Sequence, residues 1–369
     1  MPRRQKATSH RSRHRPPPCC TEIQSARPSR RGRSAVGSPK RVRPPGSAPR
    51  APALDARRHA TMPRGMLRMM PTRRAVLAGA AACLAPAVGR AEAAPLLRRP
   101  IPATGEAVPV IGIGTSRRYD VAPLPDAVAP LREAVSRFVD LGGRVIDTAP
   151  DYGRAEEVLG VILSEETLRD KVFLCSKVAA EGTEAGRAQI ARSFRRMRTE
   201  TMDLIAVHNL IDADTQLAEL RRLKDAGRIR YLGATTWVER QYGDLEALMR
   251  RERLDVIQVN YAIDARQAAE RILPLARDRG VAVMVNVPFG RERLFSLVRG
   301  RELPAFAAEC DCASWAQFFL KYVLSHEAVT CPVPGMAQAR YVEDNLGAAR
   351  GRLPDAAQRR TMEEFIDGL

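Results

Sequence analysis

The chain carries an aspartate at 147, a tyrosine at 152, a lysine at 177 and a histidine at 208. Together these side chains suit proton transfer to a carbonyl without a metal. Tyrosine ordinarily titrates near pH ~10, too high for efficient acid work at neutrality, but an adjacent ammonium favours the phenolate and lowers that value. Lys177 is placed to supply the ammonium, Asp147 to keep it charged and oriented, and a neutral His208 to donate a hydrogen bond to the carbonyl oxygen. A carbonyl polarised by Tyr152 and His208 is set to accept hydride. Each residue alone has a plainer explanation. A tyrosine after a strand packs on a loop, a strand-end lysine reaches solvent, and a lone histidine is commonly a hydrogen-bonded core residue.

What sets the four apart is the elements that carry them. Short β-branched runs at 110–114, 144–148, 172–176, 203–208, 229–235, 256–261, 281–287 and 329–333 alternate with amphipathic stretches at 128–141, 156–164, 186–197, 216–225, 244–250, 268–279 and 314–325, and a last one begins at 343–346. Eight strands, each followed by a helix, predict an α/β fold of the (β/α)8 barrel type over residues 108–369, preceded by a lead-in at 94–107. A doubly wound open sheet is the alternative. In a barrel, chemistry sits at the C-terminal strand ends and the loops behind them. Three successive strands then deliver Asp147, Tyr152, Lys177 and His208 to one mouth.

The ordered motifs IGIGT, GGRVIDTAPDYG, LCSK, HN, GRIRYLGATTW, VIQVNY and VPGMAQARYVEDN resemble those of the aldo-keto reductases, with GGRVIDTAPDYG the most specific. The resemblance spans 108–369. It implies an NAD(P)H-dependent enzyme that reduces a small-molecule aldehyde or ketone, with Tyr152 as general acid, Lys177 and Asp147 as its tuning pair, and His208 as substrate orienter. It also implies NADP held in an extended conformation across the barrel mouth, with NADPH preferred over NADH.

By that resemblance Gly114 and Thr115 belong to the first cofactor loop, and Gln258 and Thr235 to the carboxamide site. Pro288, Phe289 and Gly290 belong to the loop over the pyrophosphate, and Asn345 beside Asp344 to the adenine site. Three positions depart from the family pattern. Thr236 stands where an asparagine is common, Asn286 where an aromatic residue stacks on the nicotinamide, and Gly335 where a lysine grips the 2′-phosphate. Arg340 is near enough in sequence to substitute for that lysine. A cofactor-binding redox sensor or scaffold with little turnover is the alternative function. A lyase with Lys177 as Schiff-base nucleophile is a second, opposed by Asp147, which would raise the lysine's pKa.

The formal charge of +18 does not describe this domain. Residues 1–93 hold 21 Lys and Arg against Glu22, Asp55 and Glu92, and the remainder balances at 39 basic and 39 acidic residues. Residues 1–61 read as a disordered basic leader or as sequence ahead of the true start, since Met62, Met66, Met69 and Met70 follow. No nucleic-acid partner is expected. Residues 62–93 combine Arg73-Arg74, an apolar run and Ala91-Glu92-Ala93, the pattern of a twin-arginine export signal cleaved near Ala93. Export by that machinery would place the mature protein in the periplasm or outside the cell, with no stable membrane span, whereas a non-functional signal would leave it in the cytoplasm. Cys175, Cys310, Cys312 and Cys331 are expected as free thiols, with no metal site.

Overall fold

The computed structural model describes residues 94–369; the basic leader, the export signal and its cleavage site lie outside the described residues. Two short strands, β1 (Arg98–Pro100) and β2 (Ala107–Pro109), form an antiparallel hairpin. Eight parallel strands follow in sequence order: β3 (Ile113–Gly114), β4 (Val145–Asp147), β5 (Phe173–Val178), β6 (Met202–His208), β7 (Ile229–Thr236), β8 (Val256–Asn260), β9 (Ala282–Asn286) and β10 (Val329–Pro332). The sheet closes where Gly112 and Gly114 donate backbone N–H bonds to the carbonyls of Pro332 (3.0 Å) and Pro334 (2.8 Å). This is the (β/α)8 barrel expected from the sequence, not an open sheet.

The seam explains why β3 is two residues long instead of the expected five. Pro332 and Pro334 accept across the seam but have no N–H to donate, and the first strand is otherwise joined to the last by an isolated parallel bridge between Gly114 and Gly335. Only glycine fits there, because a Cβ on Gly114 would lie 2.4 Å from the Val333 carbonyl oxygen.

The strands are buried on both faces because helices cover the outside and side chains fill the inside. The inner filling includes Phe173, Leu204, Tyr231, Val256 and Met284. The outer layer is packed by stripes such as Val128, Leu131, Val135 and Phe138, which recur at helical spacing along the helix Pro125–Asp140. Lys177 is the penultimate residue of β5, and its side chain is buried.

Two regions escaped the sequence reading. The hairpin occupies the lead-in and the first residues assigned to the barrel, and its Ile101 and Val108 join the inner core at the N-terminal end. The chain after β9 makes a short helix Arg293–Leu297 and a 3-10 turn Ala305–Cys310 before the helix Trp315–Leu324, and a helix Ala356–Asp367 follows Ala339–Gly347. That last helix starts at a capping box between Asp355 and Gln358. Among the described residues, no helix is long and apolar enough to cross a membrane.

Candidate active site

Asp147 ends β4, and Lys177 reaches it from the neighbouring strand. The Lys177 ammonium donates to both carboxylate oxygens at 2.8 Å and to the Thr148 carbonyl at 2.9 Å. Gln258 on β8 donates to Asp147 Oδ2 at 3.0 Å. Burial alone would lower the lysine's pKa, but the adjacent Asp147 outweighs it and holds Lys177 above its ordinary value. A lysine held charged in this way is a poor amine nucleophile, which argues against the Schiff-base alternative.

Tyr152 sits over this pair, with the ammonium 5.3 Å from its ring centroid. Here one expectation is reversed. Burial raises the Tyr152 pKa more than Lys177 lowers it, and Asp147 and Asp151 both oppose the phenolate. The hydroxyl therefore stays protonated through neutral pH, as a proton donor must, and Lys177 acts by stabilising the phenolate once the proton has left.

His208 ends β6, its ring edge-on to Tyr152 at 6.1 Å between centroids. Its Nδ1 is buried without an aligned hydrogen-bond partner, and Asp151 Oδ2 lies 3.2 Å away. Asp151 was missed in the sequence, although an acid directly before the tyrosine in TAPDYG was a legible signal. Burial pushes its carboxyl up, but the close approach of His208, a backbone N–H and the charge of Lys177 more than compensate and lower its pKa.

These residues stand at the inner end of a cleft of about 1090 Å³ at the C-terminal side of the barrel. Nine of the expected cofactor residues line it: Gly114, Thr115, Thr235, Gln258, Asn286, Pro288, Phe289, Gly335 and Asn345. Gly290 lies behind the lining in a turn with φ +58°. Arg340 is exposed and turned onto Tyr341, 4.8 Å from that ring, and it is Tyr341 that lines the cleft. Thr236 faces away and donates to Gln241 Oε1 at 2.5 Å. Trp237 reaches the mouth, under the Arg291 guanidinium at 3.9 Å.

The cleft also holds groups that the sequence did not single out. Arg117, Arg118, Arg291 and Arg299 line its exposed rim, and Arg118 pairs with Glu292 at 2.7 Å, joining the loops behind β3 and β9. Buried amide oxygens of the cleft-lining Asn209 and Asn286 lack hydrogen-bond partners. Gly335 leaves open space where a side chain would stand. Unpartnered amide oxygens within and guanidinium groups at the rim fit a long dianionic dinucleotide with a carboxamide at its inner end.

All four cysteines of the domain are free, and Cys175, Cys310 and Cys331 are buried. Among the described residues, no three His, Cys, Asp or Glu side chains gather as a metal site.

The sequence profile described as "Aldo/keto reductase family" matches residues 110–365. Methylglyoxal reductase YeaE of Escherichia coli (strain K12) is 30% identical over 261 residues, covering 68% of this chain and 88% of that protein. Aldo-keto reductase YhdN of Bacillus subtilis (strain 168) is 30% identical over 168 residues, covering 42% of this chain and half of that protein. A crystal structure of an aldo-keto reductase from Klebsiella pneumoniae in complex with NADPH superposes with a TM-score of 0.62 at 25% identity, covering 71% of this chain and 93% of the other.

Proposed function

Because the chain belongs to the aldo/keto reductase family, we propose that it uses NADPH to reduce an aldehyde or ketone to the alcohol, with Tyr152 as general acid. The observation that carries this reading is the buried Asp147–Lys177 pair, with bonds of 2.8 Å, set beneath Tyr152 at the inner end of the cleft. Bound NADPH would supply hydride to the carbonyl carbon. Gln258, Thr235 and Asn286 would hold its carboxamide end, and the rim arginines its phosphates.

The protein's own part is to move one proton. The Tyr152 O–H bond breaks as the carbonyl oxygen takes the proton, and the phenolate left behind is stabilised by the Lys177 ammonium. Asp147 keeps that ammonium charged and aimed, and His208 orients the substrate from the opposite side. Stopped-flow oxidation of bound NADPH across an aldehyde panel tests the reading, with methylglyoxal first because the E. coli relative is a methylglyoxal reductase. Binding without oxidation would leave a sensor or scaffold in its place.

Two finer statements belong to the same proposal. Arg340, beside the cleft-lining Tyr341, is assigned to the 2′-phosphate, so Arg340→Ala should weaken NADPH selectively; equal losses for NADH would remove the assignment. Residues 62–93 are assigned to twin-arginine export with cleavage after Ala93, a route that carries a folded protein and lets cofactor bind beforehand. N-terminal sequencing of the mature protein checks this.

A further inference from the structure

We propose that Cys310 and Cys312 form a redox-modification site, a disulfide closed within the Cys310-Asp311-Cys312 turn that loosens the cleft wall at Asp344 and Asn345 and lowers affinity for the dinucleotide. The bridge itself is independent of the reductase reading; its effect on the cofactor rests on that reading. These two thiols differ from the other two of the domain. Cys175 and Cys331 are sealed in the inner core of the barrel, whereas Cys312 is half-buried. Its Sγ folds back to 3.8 Å from the Cys310 carbonyl oxygen. Residues two apart in a tight turn lie within the Cα separation that a disulfide spans. Closure therefore needs side-chain rotation and a local rewinding of the turn, and no movement of separate elements.

Asp311, between the cysteines, adopts φ +52°, and its carboxylate accepts from the Arg352 backbone N–H and guanidinium, each at 2.9 Å. Glycine at 351 makes room for that carboxylate, since a Cβ there would lie 2.6 Å from Asp311 Oδ2. The buried Lys321 ammonium donates to the Arg350 and Arg352 carbonyls at 2.7 and 2.8 Å. The segment behind the helix Ala339–Gly347 is thus pinned next to the turn. On the other side, the Ala313 N–H donates to Gln317 Oε1 at 2.9 Å. The Gln317 amide and the Ser314 hydroxyl both donate to Asp344 Oδ1, at 2.9 and 2.7 Å. Ser314, Asp344 and Asn345 line the cleft. A covalent ring closed through Asp311 turns its carboxylate away from Arg352 and shifts Ala313, so both holds on the helix that carries Asp344 and Asn345 weaken together.

Glutathione disulfide is an oxidant of the right class. The Cys312 thiolate attacks one glutathione sulfur, forming a mixed disulfide and releasing one glutathione thiolate. The Cys310 thiolate then attacks the Cys312 sulfur, and the second glutathione leaves. The two protein thiols give up two electrons and two protons, and glutathione disulfide is reduced to two glutathione thiols. Burial pushes the Cys312 thiol up to about 11, with Cys310 and Asp311 acting in the same direction and Lys321 opposing. Burial raises Cys310 as well, Lys321 and Arg352 opposing and Glu309 and Asp355 adding to it. The exchange is therefore slow at neutral pH and quickens as the pH rises. Such a site records sustained oxidising conditions.

In the test, full-length protein is incubated with glutathione disulfide at alkaline pH, its remaining thiols are alkylated, and it is digested with trypsin. Cys310 and Cys312 fall on one tryptic peptide, 302–321, so the bridge reads as that peptide unalkylated and lighter by two hydrogens. It should form in the native protein, vanish with dithiothreitol, and be absent from Cys310→Ser and from Cys312→Ser. NADPH affinity, titrated by fluorescence, should fall about fivefold on oxidation, roughly the worth of one lost hydrogen bond. It should recover on reduction and stay unchanged when the double serine variant is treated in the same way. A peptide that stays fully alkylated or carries only glutathione would overturn the proposal, and so would a bridge that leaves NADPH affinity untouched. Failure of the reductase reading would look different: NADPH would bind neither state, and the peptide would still decide whether the bridge forms.

Discussion

The two ends of the barrel both bury charge, and they do so in opposite ways. At the N-terminal end, under the hairpin, each polar group is answered within the protein. Arg230 bonds Asp203 at 2.8 Å and also pairs with Glu106. Asp203 accepts from the Leu174 N–H at 2.8 Å, and the Tyr231 hydroxyl meets Thr104 Oγ1 at 2.6 Å and Glu106 Oε2 at 2.8 Å. At the C-terminal end the Asp147–Lys177–Gln258 cluster is closed in this way, but around it stand oxygens of Thr148, Asn209, Asn260 and Asn286 and Nδ1 of His208 without aligned partners. An unanswered buried polar atom costs stability, of order 1–3 kcal/mol. A fold that satisfies one end and leaves the other open therefore marks the open end as the face that meets a ligand.

The sharpest way to break that contrast is Tyr152→Phe. Turnover should fall by about three orders of magnitude while the thermal midpoint and cofactor affinity stay near native, read by steady-state kinetics, calorimetry and NADPH fluorescence titration. Retained turnover would empty the mouth of its assigned chemistry.

The floor should answer in the other currency. Ile101 is 3% exposed beneath the inner core, so Ile101→Ala should lower the unfolding free energy by about 2–4 kcal/mol in urea titration, with kcat/KM unchanged. Lost activity at unchanged stability would show that the hairpin does more than seal.

A pH series sharpens the floor further. Burial and the nearby Arg359 lower the His326 pKa from 6.5 to about 4, and its Nδ1 accepts from the Ala328 N–H at 3.2 Å as a neutral ring does. Between those values the unfolded chain takes a proton that the folded chain refuses, so stability falls as the pH drops from about 6.5 to about 4. His326→Gln should flatten that slope in Tm; an identical slope would place it in other groups.

The smallest effect belongs to the exposed rim. Arg118→Ala breaks an ion pair whose side chains are 63% and 74% exposed and should shift stability by no more than about 0.5 kcal/mol. A cost above about 1 kcal/mol in the same titration would mean that the mouth is braced like the floor.

The alternation of β-branched runs with helical stripes made the barrel legible, because period-2 and period-3.6 patterns are local properties of a chain that buries both faces of each strand. The tetrad was legible for a related reason: strand ends are readable, and the fold sends all parallel strand ends to one side. The hairpin was not, since two three-residue strands carry too little pattern to stand out and gain their stability by covering the inner core. Gly290 and Arg340 show a further limit. Both lie within one residue of a position that lines the cleft, and which of two neighbours faces inward depends on loop dihedrals that spacing does not encode.

The amino-acid sequence by itself determined the barrel, the four residues at its mouth and the charge balance of the domain, because each follows from local pattern or from composition. The tertiary structure decided what depends on distances between separate strands and loops. It weighed burial against Lys177 at Tyr152, raising that pKa, brought Asp151 to the inner nitrogen of His208, and turned Arg340 onto Tyr341. In each case the deciding quantity is an electrostatic or steric contact between groups whose separation in space the order of residues does not fix.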